Sequence, residues 1–395
     1  MAHQIKTQEG KIIYDTGSGY FEPVQPKERY RSSRYNELVL DYSTDTSYRK
    51  IEGRINRIRQ QEEGSKTTTI RNVTEREGQA MNFQMKKQAW DALEQNGFTI
   101  DGEKEEETPM QSLDTGHMDE AAVMGAAEEL GLAGRINMGE YEDPEQTVNI
   151  SVDDVGVKRQ VSTRPDADEK GGRKYVYQTI VHVARQTGSY ILNGHNQRDA
   201  LIMLLGFLLS NGLLWTNSLV FYMDGDTTLL GSIKKVFGFL PIKIILDWYH
   251  LDKKLKERLS MGMAGYKLRN KFLEQLRPLL WMGDVGAAVS LLRSLPEKQV
   301  KSPEHIQKLI EYLCRNQPYI PCYALRAKLG LCNSSNRGEK ANDLAVADRQ
   351  KHNGMSWSKD GSVALASICA ASQNNELLNW VSSRSLDFSL HYDAA

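Results

Sequence analysis

The sequence predicts an α/β protein in which helices flank both faces of a mixed sheet. A small helical domain precedes the sheet, and a helical insertion lies beyond its last strand. Three observations carry this reading. Short β-rich runs alternate with turn residues between 148 and 192. Apolar helices then separate further strands up to Leu246. From Tyr249 onward the apolar periodicity is helical. At 395 residues, 40% apolar and 26% charged, the chain has room for more than one domain and a sizeable core. The longest apolar stretch, 200–209, is too short to span a bilayer, so no membrane association is expected. No basic-then-apolar segment opens the sequence, which predicts a cytoplasmic protein. Cys314, Cys322, Cys332 and Cys369 are spaced by 8, 10 and 37 residues, fitting neither a zinc pair nor a disulfide framework.

Residues 1–30 are polar with scattered Gly and Pro, an extended or poorly ordered segment. Residues 31–100 read as three helices: one near 35–42, one at 47–59 with Ile51, Ile55 and Ile58 in a single stripe, and one starting at Thr67. Gly64-Ser65 breaks the second from the third. Helix, glycine turn and basic helix is the form of a helix-turn-helix domain, whose second helix lies in the major groove. Thr68, Thr69, Arg71, Asn72 and Arg76 then face outward toward DNA, although a plain small helical bundle has the same pattern. Residues 101–145 hold 14 acidic side chains against Lys104 and Arg135, a net of −12, and read as a flexible linker or insertion with a short helix near 120–130.

Residues 146–250 carry the sheet. Val148, Ile150 and Val152 alternate into Asp153-Asp154; 175–184 is β-rich; and Gly188 turns the chain into 190–192. An apolar helix at 196–209 leads to a strand at 218–223 ending on Asp224. A helix near 228–237 and a strand at 242–246 ending on Asp247 complete the unit. Three meander strands, then helix, strand, helix and strand, is the element order of the ribonuclease-H-like fold. Residues 251–330 form a helical insertion punctuated by Pro278, Pro296, Pro303, Pro318 and Pro321. Residues 331–395 supply closing helices, at 338–351 and 362–382.

Chemistry is expected where acids end apolar strands, at Asp153 and Asp224. In a ribonuclease-H-like sheet these positions are adjacent. Two close carboxylates in a partly buried site repel by roughly 4 kcal/mol at an effective dielectric of about 20. A hard divalent cation removes that cost, so Mg²⁺ or Mn²⁺ is the expected cofactor. Alternation along the strand sets Asp153 on the face opposite Val148, Ile150 and Val152, and favours it over Asp154. Asp226 reads as a helix cap. For a third carboxylate the pattern leaves two choices: Glu257, which a lysine neighbour explains equally well, and Glu339, at a polar entry into a helix. Residues 249–352 hold 19 basic and 10 acidic side chains, a net of +9, which suits a polyanionic partner or a solvated helical surface.

The stretches Gly338-Glu339-Lys340-Ala341-Asn342 and Arg349-Gln350-Lys351-His352-Asn353-Gly354-Met355-Ser356-Trp357 resemble the C-terminal signature of bacterial DDE-type insertion-sequence transposases, a group similar to Mutator-like transposases. Asp247-Trp248-Tyr249-His250 resembles the Asp-x-x-His element of that group. The resemblance covers about residues 149–380. It implies a metal-binding triad of Asp153, Asp224 and Glu339, with Asp247 and His250 beside the site and Arg349, Lys351 and Trp357 in DNA contact or packing. It implies a nucleoid-associated DNA transposase that binds the terminal inverted repeats of its element and target DNA as a homo-oligomer. A ribonuclease-H-like nuclease such as a junction resolvase, or an inert DNA-binding remnant, are the competing expectations.

Overall fold

The computed structural model describes residues 2–7, 10–15, 32–60, 64–105, 115–132, 136–160, 174–186, 188–351 and 355–392. Strands β1 (Ala2–Thr7) and β2 (Gly10–Asp15) pair as an antiparallel hairpin. Most of the segment expected to be poorly ordered, 1–30, lies outside the described residues. So do 106–114 of the acidic stretch and His352, Asn353 and Gly354 of the C-terminal signature.

Helices α1 (Ser33–Asp45), α2 (Tyr48–Ile58) and α3 (Thr67–Gln95) come next. Val39, Ile51, Ile55, Ile70 and Val73 form their shared core. Helix α3 continues far past that core for 29 residues. Its rear half, with Met81, Met85, Ala89 and Leu93, is buried in the main hydrophobic core against the sheet's flanking helices. Within the acidic stretch, α4 (Glu120–Glu129) is docked rather than flexible, because Val123, Ala126 and Ala127 present an apolar face that packs against Leu325 and Leu331.

Then come β3 (Thr147–Lys158), β4 (Tyr175–Arg185), β5 (Gly188–Gly194), α5 (Gln197–Ser210), β6 (Ser218–Met223), α6 (Thr227–Phe237) and β7 (Lys243–Leu246). With β8 (His391–Tyr392) they make a six-stranded sheet in the order β7-β6-β3-β4-β5-β8. β3, β4 and β5 run antiparallel, whereas β6 and β7 run parallel to β3. This mixed α/β arrangement is consistent with the ribonuclease-H-like sheet expected from the element order. Each strand-to-helix junction carries its own cap: Asn196 for α5, Asp226 for α6 and Asp247 for α7 (Trp248–Gly262).

The two faces of the sheet have different cover. Val148, Ile150 and Val152 look toward α5, α6 and the rear of α3. Residues 200–209 of α5 are buried all round, which is why that helix shows no polar face in the sequence. On the other face, Val220, Tyr222 and Ile245 lie under the helical insertion: α7, α8 (Tyr266–Trp281), α9 (Val285–Arg293), α10 (Pro303–Asn316) and α11 (Tyr323–Lys328). Val155 and Val157 on that same face lie under α12 (Asn336–Asn342), a π turn over Asp343–Ala347, and α14 (Lys359–Gln373), which succeeds the short α13 (Asp348–Gln350). The helix expected at 362–382 is broken, because Asn375 adopts a left-handed conformation (φ 59°) and starts α15 (Leu377–Ser383) in a new direction. Among the described residues no helix is long and apolar enough to cross a membrane.

Candidate active site

Pleating fixes the first acid. Asn149, Ser151 and Asp153 point to the face covered by α12 and the insertion, and Asp154 points to the α5 face. There Asp154 accepts hydrogen bonds from Thr179 Oγ1 (2.5 Å) and Gln197 Nε2 (2.8 Å). Ser151 pairs with Tyr222 on the parallel neighbour β6, so the residues two further along, Asp153 and Asp224, come side by side. Asp224 begins the tight turn into α6. Its Oδ1 accepts from the Asp226 amide (2.8 Å), and its carbonyl accepts from the Tyr312 hydroxyl on α10 (3.0 Å). Gly225 is required between them: its φ is +88°, and a Cβ would stand 2.8 Å from that hydroxyl. Asp226 caps α6 through the amides of Thr228 and Leu229.

The third acid arrives on α12. Gly338 lies directly over Ser151, where a Cβ would collide with the serine side chain, so a glycine lets this helix rest on β3. The next residue, Glu339, then lines one pocket with Asp153, Asp224, His250 and Asn342. Asn342 Nδ2 donates to Asp153 Oδ2 (2.7 Å), and His250 Nε2 is 3.3 Å from Glu339 Oε1. The entry to α12 is tied down by Asp247, which is 1% exposed. Its carboxylate accepts from the amides of Tyr249 and His250, from Ser334 Oγ (3.0 Å), and from the Ser335 amide and hydroxyl. One buried carboxylate therefore positions both the histidine and the helix that carries Glu339.

The electrostatics are those of a crowded acidic pocket. Burial pushes the Asp153 carboxyl up to about 6; His250 pulls it back and the like charge of Asp224 adds to the push. Burial also raises Glu339, again against the pull of His250. The donor chemistry fits a hard divalent cation, since three carboxylates line one pocket and carboxylate oxygens are the ligands such a cation takes. As placed, no three His, Cys, Asp or Glu groups among the described residues are close enough to share one ion. Glu339 Oε1 instead lies 3.3 Å from His250 Nε2.

The other predicted residues fall elsewhere. Glu257 is well exposed on α7 beside Lys254 (3.6 Å) and takes no part in the pocket. Thr68, Arg71, Asn72 and Arg76 are exposed on α3, with Thr69 half-buried; Arg71 lies near Glu75 and Arg76 bonds Glu77 (2.6 Å). Lys351 is exposed, but Arg349 is corrected from a DNA contact to a core residue. It is 3% exposed, donates to the Ser43 carbonyl (2.8 Å) and lies over the rings of Tyr48 and Trp357. Two aromatic faces and a backbone acceptor replace the water that a surface arginine keeps. Trp357 is buried beside it. Sequence reasoning gave Asn342 no role; its signal was its place three residues after Glu339, on the same helical face.

No protein-family model matches the chain, and no curated protein matches it. Among solved structures, the chain is similar to the Drosophila P element transposase strand transfer complex at 10% identity and a TM-score of 0.26, over 93% of this chain and 83% of that one. A likeness of that strength carries no argument about fold or activity, so the function has to be argued from the pocket.

Proposed function

We propose that the protein is a DDE-type DNA transposase, a divalent-metal-dependent enzyme that cuts DNA at the ends of its element and joins the freed 3′ ends to target DNA. The observation that carries this reading is the meeting of Asp153, Asp224 and Glu339, brought from two adjacent strands and a distant helix into one pocket with His250. Asp153 and Asp224, with Glu339 as the third carboxylate of the pocket, are the residues that would hold Mg²⁺ or Mn²⁺. When bound, such ions supply Lewis-acid stabilisation of the phosphoryl oxygens and lower the pKa of the attacking water or hydroxyl. The protein's own part is positioning. Asn342 orients Asp153, Asp247 fixes the start of α12, and Tyr312 braces the turn after Asp224. His250 Nε2 holds Glu339 Oε1 at 3.3 Å.

DNA has two supports on this reading. The exposed face of α3 around Thr68, Arg71, Asn72 and Arg76 recognises the inverted repeats at the element's ends. The basic surface of α7 and α8, with Lys253, Lys256, Lys267 and Lys271, neutralises backbone phosphates. Cutting two ends together calls for a homo-oligomer on DNA at the nucleoid. The test is incubation with DNA from the gene's flanks and Mn²⁺, comparing wild type with Asp224→Asn. Strand-transfer product that survives Asp224→Asn eliminates the assignment. Cleavage without strand transfer points to a resolvase-like nuclease, and binding without cleavage to an inert remnant.

A further inference from the structure

Arg349 is a buried cation that the carboxylate pocket does not use. It stands on α13, and its guanidinium lies 5.3 Å from the ring centre of Tyr48 on α2 and 5.4 Å from that of Trp357. Its Nε donates to the Ser43 carbonyl (2.8 Å), one of the last four of α1, which have no donor within the helix. Nη1 approaches Met355 Sδ (3.5 Å), and Nη2 is buried with no hydrogen-bond partner among the described residues. Among those residues no carboxylate bonds the guanidinium, and burial works against its charge. A methionine fills the space between two rings without that cost. What the arginine adds is a charge-assisted bond to the negative end of α1, whose own last turn holds no basic residue.

The run of helix that carries Arg349 also carries Glu339. The backbone stays helical through α12, the π turn and α13, elements of 7, 5 and 3 residues that together span roughly 22 Å. The π turn inserts one extra residue into the run, an irregularity that recurs at functional sites. The forward end rests on Ser151 through Gly338 and places Glu339 in the pocket. The rear end has two anchors. Gln350 bonds Ser362 of α14, which in turn accepts from Gln178 on the sheet (3.0 Å), whereas Arg349 reaches out to α1 and α2.

We propose that Arg349 is a positioning residue, which ties Glu339 to the N-terminal helices along this one run, so that a displacement of α1 and α2 reaches the third carboxylate. The inference rests on the phosphoryl-transfer reading above, which gives Glu339 its part. It adds a residue outside the pocket that decides how firmly Glu339 is seated there. A packing role alone has a different signature: loss of Arg349 then loosens the neighbouring helices together, α14 included, with no preference for α12.

The experiment uses the full chain and compares wild type with Arg349→Met and Arg349→Lys. Hydrogen exchange is read without DNA or metal. Affinity for duplex from the gene's flanks is read in Ca²⁺, and single-turnover cleavage of that duplex in Mn²⁺. In Arg349→Met the amides of 336–342 are expected to exchange at least tenfold faster, while those of α3 and α14 stay within twofold of wild type. Duplex affinity is expected to stay within twofold and cleavage to slow at least tenfold, because the grip on DNA survives and the seating of Glu339 does not. Arg349→Lys keeps the charge without the planar fork that fits between two rings, and is expected to fall between the two. Wild-type cleavage by Arg349→Met, or unchanged exchange over 336–342, overturns the proposal. Faster exchange throughout α3 and α14, or failure of both variants to fold, makes the residue structural and overturns it equally. Each of those results leaves the transposase reading standing, because wild type still cuts. Absence of any Asp224-dependent cleavage by wild type removes that reading, and the positioning role with it.

Discussion

Glu142, buried, and Asp153, half-buried, are carboxylates near one sheet, and their surroundings treat them in opposite ways. Burial pushes Glu142 up, but Arg326, bonded at 2.6 and 3.1 Å, and Lys243, at 2.6 Å, more than cancel it and hold the carboxyl below its ordinary range. Asp153 receives an amide from Asn342 and a backbone N–H from Asp154, with no lysine or arginine partner among the described residues, and its carboxyl stays raised. A sequence that supplies a lysine and an arginine to one acid supplies neither to the other and sets Asp224 beside it. On the proposed function, that contrast separates a structural carboxylate from one that would take an exogenous cation.

The largest test of the contrast is chemical. Asp153→Asn and Asp224→Asn are each expected to slow Mn²⁺-dependent DNA cleavage by about 10²–10³-fold or more, the scale for deleting one charge-stabilising group from an active site. Single-turnover cleavage checks it, and wild-type rates in either variant would collapse the distinction. Arg326→Met leaves Glu142 with Lys243 alone and is expected to cost about 3 kcal/mol of folding stability, read by urea denaturation. The double change Glu142→Gln with Arg326→Met should cost less than that single one, because the buried acid goes with its arginine and the charge left over is that of Lys243, which is part-exposed.

The next effect depends on pH. Asp153 titrates near 6 in the folded protein against 3.8 for an ordinary aspartate. Between those values the folded state alone keeps the proton, so stability is present below 3.8 and is lost as the pH rises through about 6. Asp153→Asn is thus expected to raise the Tm of the metal-free protein at pH 8 and to leave it nearly unchanged at pH 4. Addition of Mg²⁺ or Mn²⁺ at pH 8 should stabilise wild type and narrow the gap; calorimetry with and without the ion decides it. The smallest effect belongs to Glu257→Gln, expected to stay within about 0.5 kcal/mol in stability and to cut at the wild-type rate, since an exposed acid beside Lys254 has little to lose.

Much of the sheet was legible because local pattern determines it. Alternation along 148–152 set Asp153 and Asp154 on opposite faces, and acids at the ends of β3's neighbour and of β7 marked the junctions. The third acid was not legible from periodicity. Glu339 and Glu257 have similar local surroundings, and what separates them is Gly338 resting on Ser151, a contact between segments far apart in the chain. Arg349 read as a surface cation because arginine is mostly exposed; its burial depends on Tyr48 and Trp357, supplied by opposite ends of the sequence. The docking of α4 was hidden by charge count, since three small apolar residues decide it and the surrounding acids stay in solvent.

Helix α3 begins in the little core of Ile51, Ile55 and Ile70 and ends beneath the sheet. At about 1.5 Å per residue its 29 residues make a strut roughly 44 Å long, without a proline and without a joint. Whatever docks on its forward turns is registered against the carboxylate pocket by one piece of backbone. That continuity ties the placement of the outer helices to that of the sheet, so on the proposed function any adjustment between grasping one duplex and presenting another would fall to the relative placement of whole molecules.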